Sequence, residues 1–253
     1  MNSNGNGAWQ KTWRSLLTGC TKRLFLFDLD GTVWDDILVI LNDEFGPVDE
    51  AGVKRWKSYD RAFKIENTMT NGAHLSAEYR DLLNAKSLEE LGVWLRANHK
   101  LIAGIKPFLS LLDSFGVTAV AVSNGSHEIA DPMLEYHGIK MPRVCNRLVF
   151  DGKNFVRMEF FHDEIDGIRK GDLVKLAHED GFEIVGCAGD SKGDVSMAQE
   201  TARVGGLILA VGQGGLDRWC MENEGKLVSP GSWLDVSDYS AATAVVQARL
   251  AGA

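Results

Sequence analysis

The stretch Leu24-Phe25-Leu26-Phe27-Asp28-Leu29-Asp30-Gly31-Thr32 decides the fold. Unbroken apolar character from Leu24 to Phe27, cut off at Asp28, is the mark of a short strand buried on both faces, as in a parallel sheet. Charge placed directly after such a run is costly unless it is used, so Asp28 and Asp30 are read as functional.

Moving outward, the same pattern recurs. Val117 to Val122 stops at Ser123-Asn124-Gly125, Phe182 to Cys187 stops near Gly189-Asp190, and Leu207 to Val211 stops at Gly212-Gln213-Gly214-Gly215. Helical patterns lie between them: Lys106 to Phe115, Ser126 to His137 closed by Gly138, and Lys170 to Asp180 closed by Gly181. Strands alternating with helices predict an α/β fold with a doubly wound parallel sheet. Arg147 to Phe150 and Phe155 to Phe160, joined through Asp151-Gly152, read as a β-hairpin.

The stretch from Asp35 to His99 contains helix signals and no strand. Ser87 and Glu90 form a capping box ahead of Leu88, Leu91 and Leu95. The domain reading is therefore an N-terminal tail and short helix at 1–21, an α/β core from 22–34 and 101–253, and a small inserted helical cap at 35–100. Trp34 and Trp56 are expected in the cap core or the cap–core interface.

Composition narrows the function. The chain has 253 residues, 45% hydrophobic and 25% charged, with a net charge of −8. That balance argues against gripping nucleic acid or an anionic membrane. No apolar run approaches the ~20 residues that span a bilayer. Cys20, Cys145, Cys187 and Cys220 form no Cys-x-x-Cys pair and are expected as buried thiols of a cytoplasmic protein. The six histidines form no metal-like pair and are expected in surface or structural roles. The glycines at 212–215 lack the ending of a phosphate loop and read as a turn.

In an open parallel sheet, ligands bind beyond the carboxyl ends of the strands. The polar residues expected to meet there are Asp28, Asp30, Ser123, Asn124, Asp190 and Asp194, with Lys170 as the cation placed to join them. Four carboxylates at close quarters repel, and a divalent cation relieves that. Oxygen donors without His or Cys select a hard ion, so Mg²⁺ is expected. An aspartate beside such an ion, a lysine and a hydroxyl suits phosphoryl chemistry, with one acid attacking in line and Asp30 moving the proton.

These residues resemble the motifs of the haloacid dehalogenase-like hydrolases. Asp28-Leu29-Asp30-Gly31-Thr32 is similar to the first motif, Ser123 to the second, Lys170 to the third, and Gly189-Asp190-Ser191-Lys192-Gly193-Asp194 to the fourth, over about residues 22 to 215. The resemblance implies Asp28 as the nucleophile that becomes an aspartyl-phosphate, and Asp30 as general acid/base. It implies Ser123 and Lys170 as phosphoryl ligands, with Asp28, Asp30 (through its carbonyl), Asp190 and Asp194 around Mg²⁺. Asp30 is the residue that separates phosphate-ester members from dehalogenases.

The helical cap and hairpin resemble the phosphoserine phosphatase-like branch, which implies a substrate-carboxylate role for Arg80. The glutamate of that branch falls at Ile37 here, with Asp35 and Asp36 out of register. A different small phosphate ester, with an anionic one in view, is therefore expected. The expected activity is a Mg²⁺-dependent phosphatase acting on a small phosphorylated metabolite, as a monomer or homodimer. The alternatives are a phosphotransferase or phosphomutase of the same kind, and a non-catalytic metabolite-sensing module.

Overall fold

A computed structural model describes residues 7–229 and 231–252; residues 1–6 of the expected tail lie outside it. The chain enters through α1 (Ala8–Leu17), whose Trp13 and Leu17 are buried. The Trp13 indole N–H donates to the Leu173 carbonyl at 3.1 Å. β1 (Arg23–Phe27) follows. Its side chains alternate between two cores: Leu24 and Leu26 join one cluster, Phe25 and Phe27 the other. That two-sided burial is why the run carries no polar residue.

Four helices come next: α2 (Ile37–Phe45), α3 (Arg55–Lys64), α4 (Asn71–Ala85) and α5 (Leu88–Asn98). Their starts are written in the sequence. Asp36, Thr70 and Ser87 each accept a backbone N–H in the first turn, and Ser87 with Glu90 completes the capping box. The chain leaves the core at Trp34 and returns at Leu101, and the two crossings pair with each other. Asp35 N–H donates to the Lys100 carbonyl and Ile102 N–H to the Val33 carbonyl, both at 3.0 Å, around an antiparallel bridge between Trp34 and Leu101.

The core then resumes with α6 (Ile105–Ser114), β2 (Val117–Ser126), α7 (His127–His137), β3 (Arg143–Asp151), β4 (Asn154–Glu159), α8 (Lys170–Glu179), β5 (Glu183–Gly189), α9 (Val195–Arg203), β6 (Leu207–Val211), α10 (Gly215–Asn223), β7 (Trp233–Val236) and α11 (Tyr239–Ala251). The strands form one sheet in the order β4-β3-β2-β1-β5-β6-β7. All neighbours are parallel except β3 and β4, the expected hairpin. The chain winds outward from β1 to one edge and then, from β5, to the other. This is the doubly wound arrangement, with its switch point beside β1.

Three details differ from the sequence reading. β2 runs on to Ser126, so Ser123 lies within the strand tip. β3 begins at Arg143 and pairs with β2 before it turns into the hairpin, although only Val144 and Cys145 mark that first half as apolar. The C-terminal region adds β7 at the sheet edge and α11, whose buried Tyr239 donates its hydroxyl to the Thr32 carbonyl at 3.1 Å. Among the described residues no helix is long and apolar enough to cross a membrane.

Candidate active site

The acids meet at the carboxyl ends of β1 and β5, the two strands that flank the switch point. Asp28 N–H donates to the Ala188 carbonyl at 3.0 Å, so the sheet itself holds this residue. Its Oδ1 accepts the Leu29 N–H at 2.8 Å and lies 2.8 Å from Lys170 Nζ. No protein donor contacts Oδ2 among the described residues. Lys170 opens α8, is 2% exposed, and also lies 2.6 Å from Asp194 Oδ1. Fully buried Asp194 accepts three more bonds on Oδ2, from Asp190 N–H at 3.1 Å and from the Ser191 N–H and hydroxyl at 3.0 Å each. Both its oxygens are therefore occupied by the protein.

Glycines make room for the Asp190 carboxylate. Gly31 has φ +73°, and a Cβ there would lie 2.6 Å from the Asp190 carboxyl carbon. At Gly214 a Cβ would lie 1.9 Å from the Asp190 carbonyl oxygen, and Leu216 N–H donates to that same oxygen at 3.2 Å. The glycine turn after β6 thus closes against Asp190.

Asp30 accepts the Trp34 indole N–H on Oδ1 at 2.8 Å. This partner was not anticipated from the sequence. The signal was its position four residues on, across the turn at Gly31. Ser123 is 1% exposed and accepts Gly125 N–H at 3.0 Å, and both line the same cavity as the acids. Asn124 also lines it, but its side-chain oxygen accepts Ile168 N–H at 2.7 Å and its carbonyl accepts Asn146 Nδ2 at 2.9 Å. Its side chain ties β2 to the loop that delivers Lys170.

Burial dominates the electrostatics. It pushes Asp28 up to about 7, with the Asp194 charge adding and Lys170 opposing. It pushes Asp30 up to about 7, helped by Asp36 and opposed by the Trp34 N–H. Asp190 rises to about 8 through burial and the charges of Asp194 and Asp28. Burial alone would lower Lys170, but Asp194 and Asp28 outweigh it and hold the ammonium charged. Oxygens of Asp28, Asp190 and Asp194 lie within 4.8 Å of one another. With Asp194 occupied, Asp28 and Asp190 are the carboxylates with room for a hard dication. The residues fit such an ion.

Arg80 requires a correction. It is exposed and does not line the cavity, whereas its neighbours Glu78 and Tyr79 on α4 are buried. One residue is 100° of helix rotation, enough to turn it to solvent. Arg80→Ala is expected to change phosphate release less than about twofold and stability by less than ~0.5 kcal/mol, as for an ordinary surface site, checked by steady-state kinetics and urea melts. His74 is 8% exposed and lines the cavity. Trp56 lines the cavity too.

Comparison with known proteins adds to this geometry. A family model described as haloacid dehalogenase-like hydrolase matches residues 25–199. The chain is 28% identical over 192 residues to the 2-hydroxy-3-keto-5-methylthiopentenyl-1-phosphate phosphatase of Geobacillus kaustophilus (strain HTA426), covering 71% of this chain and 81% of that protein. Among solved structures it resembles a phospho-aspartyl intermediate analogue of phosphoserine phosphatase, with TM-score 0.57, 20% identity and coverage of 76% of this chain and 87% of the other. It also resembles cytosolic 5'-nucleotidase IIIB bound to cytidine, with TM-score 0.55, 12% identity and coverage of 99% and 94%. At these identities the structures establish a shared fold.

Proposed function

Because the chain belongs to the haloacid dehalogenase-like hydrolases, we propose that it is a Mg²⁺-dependent phosphatase hydrolysing a small phosphate monoester through an aspartyl-phosphate on Asp28. One observation carries this reading. Lys170 and Leu29 N–H fix one oxygen of the Asp28 carboxylate, the other has no protein donor among the described residues, and Asp28 lines a cavity of about 820 Å³. A carboxylate so held is aimed, and its attack costs little reorganisation.

In this reading Asp28 Oδ2 attacks phosphorus and the ester oxygen departs with a proton from Asp30. The Trp34 N–H holds Asp30, and burial keeps its affinity for a proton near neutrality, where a general acid works best. Asp30 then takes a proton from the water that attacks phosphorus, which frees Asp28 and releases phosphate. Ser123 and Lys170 bind the phosphoryl oxygens. Asp194 acts through Lys170 and the Asp190 and Ser191 amides. Asp28, Asp190 and the Asp30 carbonyl would hold the Mg²⁺. When bound, the ion supplies charge that lets these acids ionise together and stabilises the phosphoryl oxygens. The relative from G. kaustophilus, a phosphatase of a small organic phosphate by its name, supports the same class of substrate. A reducing, cytoplasmic setting suits the four cysteines, all of them free, with burial pushing Cys187 and Cys220 up to about 12.

The test is turnover of an aryl phosphate. Free phosphate is expected with Mg²⁺ and none with excess EDTA. Turnover that persists in EDTA refutes the metal, and an isomeric phosphate ester in place of phosphate refutes hydrolysis.

Metal and pH are expected to act together on stability. Asp28, Asp30 and Asp190 have raised affinities for protons in the folded, metal-stripped protein. A carboxyl raised from its unfolded value near 4 favours folding at acid pH and loses that contribution as pH climbs through its folded value. The metal-stripped protein should therefore lose stability between about pH 4 and 8. Added Mg²⁺ should raise the melting temperature more at pH 8 than at pH 5, as differential scanning fluorimetry would register.

A further inference from the structure

Tyr239 opens α11 and is fully buried. Its ring packs among aromatic neighbours, 4.9 Å from Phe108 and 6.2 Å from Phe27 between ring centres. A phenylalanine would fill that space, so the hydroxyl is the part that needs a reason. Burying it among apolar rings is costly unless it is bonded. It donates to the Thr32 carbonyl at 3.1 Å, and no backbone N–H reaches that carbonyl among the described residues. Burial and the charges of Asp190, Asp28 and Asp194 push the phenol's proton affinity well up, which keeps it a donor.

The segment that Tyr239 grips is one wall of the acidic site. Thr32 is itself fully buried, and its N–H donates to the Leu29 carbonyl at 3.1 Å. Its Oγ1 lies 3.5 Å from Asp190 Oδ1, and Gly31 beside it leaves the Asp190 carboxylate room where a Cβ would stand. With its amide held inside the loop and its carbonyl held by Tyr239, Thr32 has little freedom to retreat from Asp190. The grip is well anchored. Tyr239 N–H donates to the Ala103 carbonyl at 2.9 Å, and a Cβ on Gly104 would lie 2.7 Å from the Ser240 nitrogen. The first turn of α11 therefore sits hard against the chain returning from the helical segment. Ala242, Val246 and Leu250 bury the rest of the helix. Those contacts dock α11 whether or not residue 239 carries a hydroxyl.

We propose that Tyr239 is a positioning residue for the metal site, its hydroxyl holding Thr32 so that the Asp190 carboxylate is presented to a divalent cation. It acts through Thr32 and touches neither the ion nor the substrate. This deepens the metal-dependent phosphatase reading above, on which it rests.

The experiment measures Mg²⁺ binding in two ways: by calorimetric titration, and by the Mg²⁺ concentration that half-saturates turnover of p-nitrophenyl phosphate. Tyr239→Phe keeps the ring. It should weaken Mg²⁺ about tenfold by both measures, the scale of losing a group that orients a metal ligand, with KM for the ester at saturating Mg²⁺ within about twofold of the parent. Thr32→Val keeps the shape and removes the hydroxyl facing Asp190, and should weaken Mg²⁺ similarly. The double variant should lose far less than the product of the two effects, because both act on one contact. Val246→Ala, which opens a cavity under the same helix, should lower the melting temperature and leave Mg²⁺ binding unchanged. The proposal is overturned if Tyr239→Phe binds Mg²⁺ as the parent does, if it fails to fold although the ring is kept, or if its loss and that of Thr32→Val multiply. A parent protein that binds Mg²⁺ without turning over the ester overturns the phosphatase reading alone, and the calorimetric comparison still decides the role of Tyr239. A parent that binds no Mg²⁺ overturns the metal and this role together.

Discussion

Asp28→Asn is expected to reduce phosphate release by at least about a thousandfold, the scale of losing a nucleophile, while the protein stays folded. The amide oxygen can still accept the Leu29 N–H, and Lys170 keeps Asp194 at 2.6 Å. What disappears is the anionic oxygen that attacks phosphorus in the proposed mechanism. The substitution also takes one charge out of a crowded acidic site, in which Asp28 itself helps push Asp190 upward. Without Mg²⁺ the variant should therefore melt no lower than the parent protein. Loss of activity without a fall in melting temperature separates a chemical role from a structural one. A second measurement adds to this: brief incubation with radiolabelled substrate followed by acid quenching should leave label on the parent protein and none on the variant. Near-normal turnover by Asp28→Asn would remove the residue from its assigned step.

Lys170→Met should damage both properties at once. The methionine fills similar volume, but Asp28 and Asp194 lose the ammonium that lies 2.8 and 2.6 Å from them. Breaking a buried ion pair from one side leaves uncompensated charge and costs about 3–5 kcal/mol. The penalty should be larger at pH 8 than at pH 5.5, because the orphaned Asp28 carboxyl, which burial already pushes up to about 7, takes up a proton at the lower pH. Urea melts at the two pH values measure this. Adding Asp194→Asn to the variant should recover part of the stability and none of the activity. Equal losses at both pH values would refute the electrostatic account.

The centre of the site was legible because it is built from local rules repeated along the chain. Each of β1, β2 and β5 is a short apolar run, and Asp28, Ser123 and Asp190 lie at or just past the strand tips. Sheet topology does the rest, since parallel strands bring their carboxyl ends to one edge. The first half of β3 was hidden because Val144 and Cys145 are too few to mark a strand; it forms because β2 offers an unpaired edge. Likewise Trp233-Leu234-Asp235-Val236 becomes a strand only by pairing with β6.

The cavity wall was harder to read than the acids. Which residues of α4 face inward depends on how that helix docks: Glu78 lines the cavity, whereas Arg80, two positions on, faces solvent. The Trp34–Asp30 contact was missed for a related reason: composition marks a tryptophan as apolar bulk, while here its N–H is what matters.

The paired crossings at Val33–Asp35 and Lys100–Ile102 set how the enzyme can breathe. Two chain segments laced together by hydrogen bonds flex easily about the line they share and resist sliding or swivelling, so the helices should swing like a door on one pin. Trp34 belongs to that pin and also grips the Asp30 carboxylate. In the proposed mechanism a swing about this pin is therefore expected to shift the Asp30 carboxylate, coupling closure over the substrate to alignment of the proton donor.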